Sequence, residues 1–388
     1  MPSVAIVGTG FVADLYMRSF ETCPDIEVAG FWDRDPARLA AASAFWRTPA
    51  YDGLDALIGA RPDLVLNLTN PDEHAGITRA CLEAGLPVYS EKPLATYISD
   101  ARALHALAED RGLVLASAPC SALSETAQTL ARAVREGVIG TPRLVYAELD
   151  DGFIPAAPYA KWASESGAPW PAEDEFRVGC TLEHAGYYLT WLMAMFGSVT
   201  RVAAASADLL PQKGVEDAAP DFSVATLFFE AGPVARLTCS IVAAHDHGLR
   251  VIGDGGTLEV AECWANDAPV RVRRRFAVRR RLVESPRRRR YRLKGPTHPK
   301  VGRRGAASMN FALGPAEVLD AMRAGRPSRL GGAFALHLTE VTLAIQNAVG
   351  GAVVDIESRC DPMTPMPWAD EAGADEAGAD ATEVPDAA

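Results

Sequence analysis

The chain has 388 residues, enough at roughly 150 residues per domain for two domains with length to spare. With 48% hydrophobic and 23% charged residues it is not a disordered, collagenous or coiled-coil chain. Its longest nearly unbroken apolar run, 187–196, is half of the ~20 residues that cross a bilayer, so no membrane span is expected. The net charge of −12 is unevenly spread: residues 271–304 hold 16 Lys or Arg against one acid, Glu284, giving that stretch +15 and leaving −27 elsewhere. Seven widely spaced cysteines with no C-x-x-C pair fit reduced thiols better than a disulfide frame or a structural zinc site. No basic stretch precedes the first strand-like run, so no signal peptide is expected and the chain is placed in the cytoplasm.

Over residues 1–122, β-branched runs at 4–7, 26–32, 64–68, 87–90 and 113–116 alternate with helix-like stretches at 35–45, 74–84 and 99–111. That alternation predicts a parallel sheet covered on both faces, an α/β Rossmann arrangement. A helical stretch at 124–136, closed by Gly137 and Gly140, opens a second domain over 123–360. Strand patterns recur there at 143–149, 199–205, 224–229, 235–243, 249–252 and 257–260, with one strongly helical segment at 181–196 and late helices near 316–324 and 335–349. This reads as an α+β domain with a mostly antiparallel sheet. Residues 361–388 contain Pro362, Pro365, Pro367 and the near-repeat EAGAD at 371–375 and 376–380. Apart from Trp368 they offer little to bury, and they read as a disordered acidic tail.

Gly8-Thr9-Gly10-Phe11-Val12-Ala13 follows the first strand and opens a helix. Gly8 permits the tight turn and Gly10 lets backbone approach a pyrophosphate, which then sits on the N–H groups of the helix start formed by Phe11 and Val12. Asp33 ends the next strand about 20 residues on, where a carboxylate accepts hydrogen bonds from ribose hydroxyls. It would repel a 2′-phosphate and so favours NAD over NADP, whereas Arg34 beside it would neutralise such a phosphate. Asn67-Leu68-Thr69-Asn70-Pro71, with His74, and Ser90-Glu91-Lys92-Pro93 stand at later strand ends, where open α/β sheets bind ligands. A partly desolvated Lys92 ammonium is a strong donor for a carbonyl or alkoxide beside a nicotinamide.

GTGFVA at 8–13, Asp33, NPDEH at 70–74 and EKPLA at 91–95, followed by the helix at 124–136 and VIGTP at 138–142, resemble the Gfo/Idh/MocA family of NAD(P)-dependent oxidoreductases. The likeness covers the first domain well. In the second it is looser, resting on the helix from Thr181, VIGDGGTLEV at 251–260 and the late helix from Ala335. The resemblance implies a Rossmann domain, a C-terminal α+β domain with a large open sheet, and hydride transfer between nicotinamide and a secondary alcohol or ketone. It gives Lys92 a catalytic role and the Lys92–Pro93 peptide a cis form. Thr69, Asn70, His74 and Glu91 would line the cofactor. The open sheet implies a homodimer or homotetramer.

The second half departs from the family's pattern of an Asp and, four residues on, a His on the central helix. Here His184 stands at the Asp position and Tyr188 at the His position, a spacing that keeps both on one helix face. Tyr188 is the expected acid/base, its phenol lowered by Lys92, with His184 orienting substrate or relaying the proton. The alternative is that Tyr187 and Tyr188 only pack the domain interface. Substrate contacts are expected from Lys161 and Trp162 in the aromatic loop 159–171, from Glu183 and from His245. His245 and His247 share one side of a strand end, but a third ligand at metal spacing is not evident, so no metal is assigned. The arginine runs at 273–275, 279–281 and 287–290 lack a nucleic-acid module around them, and a solvent-facing sheet or subunit edge explains them better. The chain thus reads as an NAD(P)-dependent dehydrogenase or reductase of a sugar, cyclitol or sugar-like small molecule. The alternatives are a dinucleotide-binding sensor on the same scaffold and a dehydrogenase of a non-sugar ketone in a tailoring pathway.

Overall fold

Two sheets organise the chain in the computed structural model, which describes residues 1–210 and 213–370. The first is built from β1 (Ser3–Val7), β2 (Glu27–Trp32), β3 (Leu64–Asn67), β4 (Val88–Ser90) and β5 (Leu115–Ser117), all parallel in the order β2-β1-β3-β4-β5. Its connections are α1 (Phe11–Phe20), α2 (Pro36–Trp46), α3 (Leu54–Gly59), α4 (Pro71–Glu83) and α5 (Ile98–Arg111). Helices on both faces explain why β3, β4 and β5 are buried at every residue and why their sequences are continuous apolar runs. The strand order reverses at β1, and the cleft at that switch point is where the glycine turn lies.

After α6 (Glu125–Arg135), capped by Ser124, the second sheet begins with β6 (Pro142–Asp150). Then come α7 (Ala172–Val178), α8 (Cys180–His184), α9 (Gly186–Phe196), β7 (Val199–Ala207), β8 (Phe222–Phe229), β9 (Val234–Ser240), β10 (Leu249–Gly253) and β11 (Gly256–Val260). The chain ends through β12 (Val270–Val278), β13 (Arg281–Glu284), β14 (Arg289–Tyr291), α10 (Leu313–Ala324), α11 (Ala333–Gln346), β15 (Ala352–Asp355) and α12 (Pro367–Asp370). The order is β13-β12-β11-β10-β6-β9-β8-β7-β15, with β14 on β12. Every pair is antiparallel except β6 with β9. Along β8 buried and less buried residues alternate, because α8, α9 and α11 cover one face and leave the other open. The expected helix 181–196 is two helices, with Ala185 still helical between them. Helix α7 had no counterpart in the sequence reading.

The basic stretch forms β12 to β14, and three of its arginines pair with acids within the sheet. Arg273 and Arg288 both reach Glu259 at 3.0 Å, and Arg275 reaches Glu284 at 3.0 Å. The tail expected to be disordered from 361 is docked as far as 370: Met366 N–H donates to Gln128 Oε1 at 3.0 Å, and the Arg329 guanidinium donates to the Thr364 and Pro365 carbonyls. Trp368 lies 6.1 Å from the His298 ring. Composition missed this because the partners are single side chains far away in sequence. The EAGAD repeats lie outside the described residues. No described helix is long and apolar enough to cross a membrane.

His337, fully buried on α11, accepts the Val199 N–H at Nε2 (2.9 Å) and has Ser358 Oγ 2.9 Å from Nδ1. Burial depresses its pKa from 6.5 to about 4. The unfolded chain therefore takes up this proton first as pH falls, so stability declines from pH 6.5 toward pH 4, by on the order of 3 kcal/mol. Denaturant unfolding of wild type and His337→Gln across that range tests it. The variant should show the shallower decline, and parallel curves would refute the assignment.

Candidate functional site

Gly8 adopts φ +94°, and its N–H donates to the Trp32 carbonyl at 2.8 Å. A Cβ there would lie 2.6 Å from Leu68 O, so only glycine lets β1 turn this close to β3. At Gly10, the N-cap of α1, a Cβ would meet nothing within 4 Å, and no side chain caps the helix. The start of α1 after Gly10 thus borders a cleft lined by Gly8, Gly10, Asp33, Arg34, Thr69 and Asn70. A helix start with open space before it fits the pyrophosphate of a dinucleotide.

Asp33 is buried. Its Oδ2 accepts from the Thr9 N–H (2.7 Å) and hydroxyl (2.9 Å), and Oδ1 accepts from the Asp35 N–H at 2.8 Å. It thereby ties the glycine turn to the end of β2. Arg34 is exposed and pairs with Glu73 at 2.7 Å. Arg38, which the sequence reading did not single out, lines the same cleft with Nε 3.4 Å from Asp33 Oδ2. Its signal was its place four residues beyond Arg34, one turn along a helix led by Pro36.

Two expected cofactor residues make framework hydrogen bonds. The His74 ring is buried between the carbonyls of Pro93 (2.6 Å) and Thr69 (2.9 Å), bracing the two loops against each other. Glu91, also buried, accepts from Tyr16 OH at 2.7 Å and from the Lys92 N–H at 3.0 Å. Thr69 bonds Asn67 Oδ1 at 2.7 Å, and Asn70 reaches Asp174 of α7 at 2.6 Å, linking the cleft to the second domain.

Lys92 follows β4, and its peptide to Pro93 is cis. Its ammonium makes an ion pair with Glu183 of α8, a residue expected to touch substrate. Burial opposes the charge on Lys92, but Glu183, with Tyr187, Glu175 and Glu91 behind it, outweighs burial and holds the lysine above its usual range. Glu175 of α7, not found from sequence, hydrogen-bonds Glu183. Burial and then the Glu183 charge push its carboxyl well above the usual range. The cluster joins the Lys92 amine to two carboxyls, Glu183 and Glu175.

Tyr188 is not beside this lysine. It is fully buried, its hydroxyl donates to the His247 carbonyl, its ring lies 5.2 Å from Trp191, and burial raises its pKa well above 10. A phenol so held is poorly placed for the acid/base role expected of it. The phenol that feels the Lys92 charge is Tyr187. His184 keeps its ring 18% exposed and its Nδ1 2.9 Å from Asp151 Oδ2, an ion-pair contact rather than a well-angled hydrogen bond. Burial alone would raise the Asp151 carboxyl, but His184 and His247 on either side of it hold it well below the usual range.

Lys161 is exposed, whereas Trp162 packs on Trp170 at 5.2 Å, and Trp170 in turn on Phe176 of α7 at 6.0 Å. The loop is tethered to α1 twice: Ser166 N–H donates to Asp14 at 2.6 Å and Arg18 to Glu165 at 2.9 Å. His245, on a loop rather than a strand, is half exposed, with its ring 4.3 Å from that of buried His247.

Residues 3–118 match the profile of an oxidoreductase family with an NAD-binding Rossmann fold, and residues 127–259 match the GFO/IDH/MocA C-terminal domain. The chain belongs to the Gfo/Idh/MocA family. It is 28% identical over 269 residues to D-apiose dehydrogenase of Paraburkholderia graminis, covering 66% of this chain and 67% of that one. To trans-1,2-dihydrobenzene-1,2-diol dehydrogenase of Bos taurus it is 24% identical over 265 residues, 67% and 74% of the two chains. An inositol dehydrogenase homolog of Azotobacter vinelandii, solved with NADH and myo-inositol, superposes with a TM-score of 0.70 at 18% identity over 91% of this chain and 97% of that one, a likeness of fold. This Gfo/Idh/MocA chain is an oxidoreductase with a dinucleotide-binding Rossmann domain, and in its site Lys92 pairs with Glu183 and His184 with Asp151.

Proposed function

We propose that the protein oxidises a secondary alcohol, or reduces the matching ketone, of a sugar, cyclitol or sugar-like substrate, with Lys92 and His184 handling the reacting oxygen. The observation that carries this reading is the Lys92–Glu183 pair at the end of β4, on the same sheet edge as the dinucleotide cleft. When bound, the nicotinamide supplies the hydride acceptor or donor. Lys92, held charged by Glu183, is unsuited to act as a base and instead donates to the substrate oxygen, stabilising the developing alkoxide. His184 takes the alcohol proton, and the Asp151 carboxylate orients its ring and stabilises the imidazolium that forms. Relatives named for D-apiose and for a dihydrobenzenediol support a substrate with neighbouring hydroxyls.

NAD(H) is the proposed cofactor, because a 2′-phosphate would sit against the buried Asp33 carboxylate. The open face of the second sheet, where Leu144, Phe228 and Val353 are exposed, is the proposed contact of a homodimer or homotetramer. Seven free cysteines support a reducing compartment, the cytoplasm. Titration with NADH and NADPH, followed by nicotinamide fluorescence and then a panel of aldoses and cyclitols, tests the reading. Tighter NADH binding with turnover of a polyol is expected. Tighter NADPH binding would hand control to Arg34 and Arg38, and binding without turnover of any carbohydrate would turn the reading toward a sensor.

A further inference from the structure

Three neighbouring strand ends of the second sheet gather a second set of polar side chains behind His184. Asp151 leaves β6, His245 and His247 lead into β10, and Glu262 and Cys263 follow β11, three strands adjacent in the order β11-β10-β6. We propose that Asp151, His245 and His247 form a binding site for a divalent transition-metal ion of the zinc class, with Glu262 supporting His247 from behind.

The donor atoms of Asp151, His245 and His247 all lie within 4.8 Å of one another. The two imidazole rings are 4.3 Å apart, and Asp151 Oδ1 is 2.6 Å from His247 Nε2. The other nitrogen of His247, Nδ1, is 2.9 Å from Glu262 Oε1. That carboxylate fixes the proton on Nδ1 and leaves Nε2 for a metal, the carboxylate–imidazole–metal arrangement that orients histidine ligands in general. Two nitrogens and one carboxylate oxygen suit zinc or cobalt(II) and not calcium or magnesium, which prefer oxygen alone. Three protein ligands leave a fourth position for water.

The surrounding charge also calls for a cation. Asp150, Asp151, Asp246 and Glu262 crowd the two histidines. The buried Asp151 Oδ2 has no well-directed hydrogen bond although His184 Nδ1 is 2.9 Å away. His245 is half exposed and gives the ion its entry, while His247 is fully buried. As the ion enters, the proton that His247 shares with Asp151 leaves to solvent and the metal takes its place on Nε2. The sequence showed His245 and His247 but not the third ligand, because Asp151 is 96 residues from His247. The inference does not depend on the reaction proposed above.

The full-length chain, stripped by a chelator and dialysed, is titrated with cobalt(II) and read by its visible ligand-field absorption. One cobalt per chain with the intense bands of a four-coordinate centre is expected, displaced by zinc. His245→Ala, at a half-exposed position that spares the fold, and His247→Gln should abolish the bands, and Glu262→Gln should weaken binding by about 10–100-fold. A spectrum that stays that of hydrated cobalt, or His245→Ala binding cobalt as wild type does, would overturn the site. Should His247→Gln fail to fold, His245→Ala decides alone.

Discussion

Lys92→Ala is expected to lower turnover by about 10²–10³-fold or more, the usual loss when a donor to a developing oxyanion is removed, and to leave NADH binding unchanged. The two effects separate because the cleft at the glycine turn is lined by Gly8, Gly10 and Asp33 and not by Lys92. Removing the ammonium also leaves Glu183 and Glu175 as two buried carboxyls without their cation. Lys92→Arg should not restore the rate, since a planar guanidinium cannot replace a point donor on a shorter reach. Steady-state kinetics and fluorescence titration on the same preparations check this. Normal turnover by Lys92→Ala would end the proposed mechanism.

His184→Ala is the second large effect, a loss of about 10²–10⁴-fold in kcat, the range for a positioned general base. Asp151→Asn should fall in the same range, because a neutral amide neither orients the ring nor stabilises the imidazolium. Tyr188→Phe supplies the contrast. It removes a hydroxyl that only holds the His247 carbonyl, so stability should drop by about 1–2 kcal/mol while kcat holds. A Tyr188→Phe enzyme as slow as His184→Ala would reinstate the phenol as the acid/base and displace the imidazole.

Much of the first domain was legible because its signals are local. The Gly8 turn, the Pro36-led helix after Asp35 and the Lys92-Pro93 strand end each declare themselves within a few residues, and burial on both faces makes each parallel strand an apolar run. The site was only partly legible because its pairings are long-range. Lys92 and Glu183 stand 91 residues apart, and no periodicity links them. The i, i+4 rule placed His184 and Tyr188 on one face, but the fold decides what that face meets. The phenol of Tyr188 ended beneath the His247 backbone while Tyr187 turned toward Lys92. Polarity alone did not reveal the framework bonds of His74 and Glu91, since a buried polar group at a strand end serves the backbone as readily as a ligand.

The double tether of the loop after β6 to helix α1 bears on how cofactor is exchanged. Asp14 and Arg18 lie on the helix whose first turn borders the dinucleotide cleft, and they hold Ser166 and Glu165 of the second domain. The two domains therefore cannot hinge apart without breaking both contacts and lifting the aromatic cluster of Trp162 and Trp170. Any exchange of cofactor that needs the two domains to part must first undo these contacts.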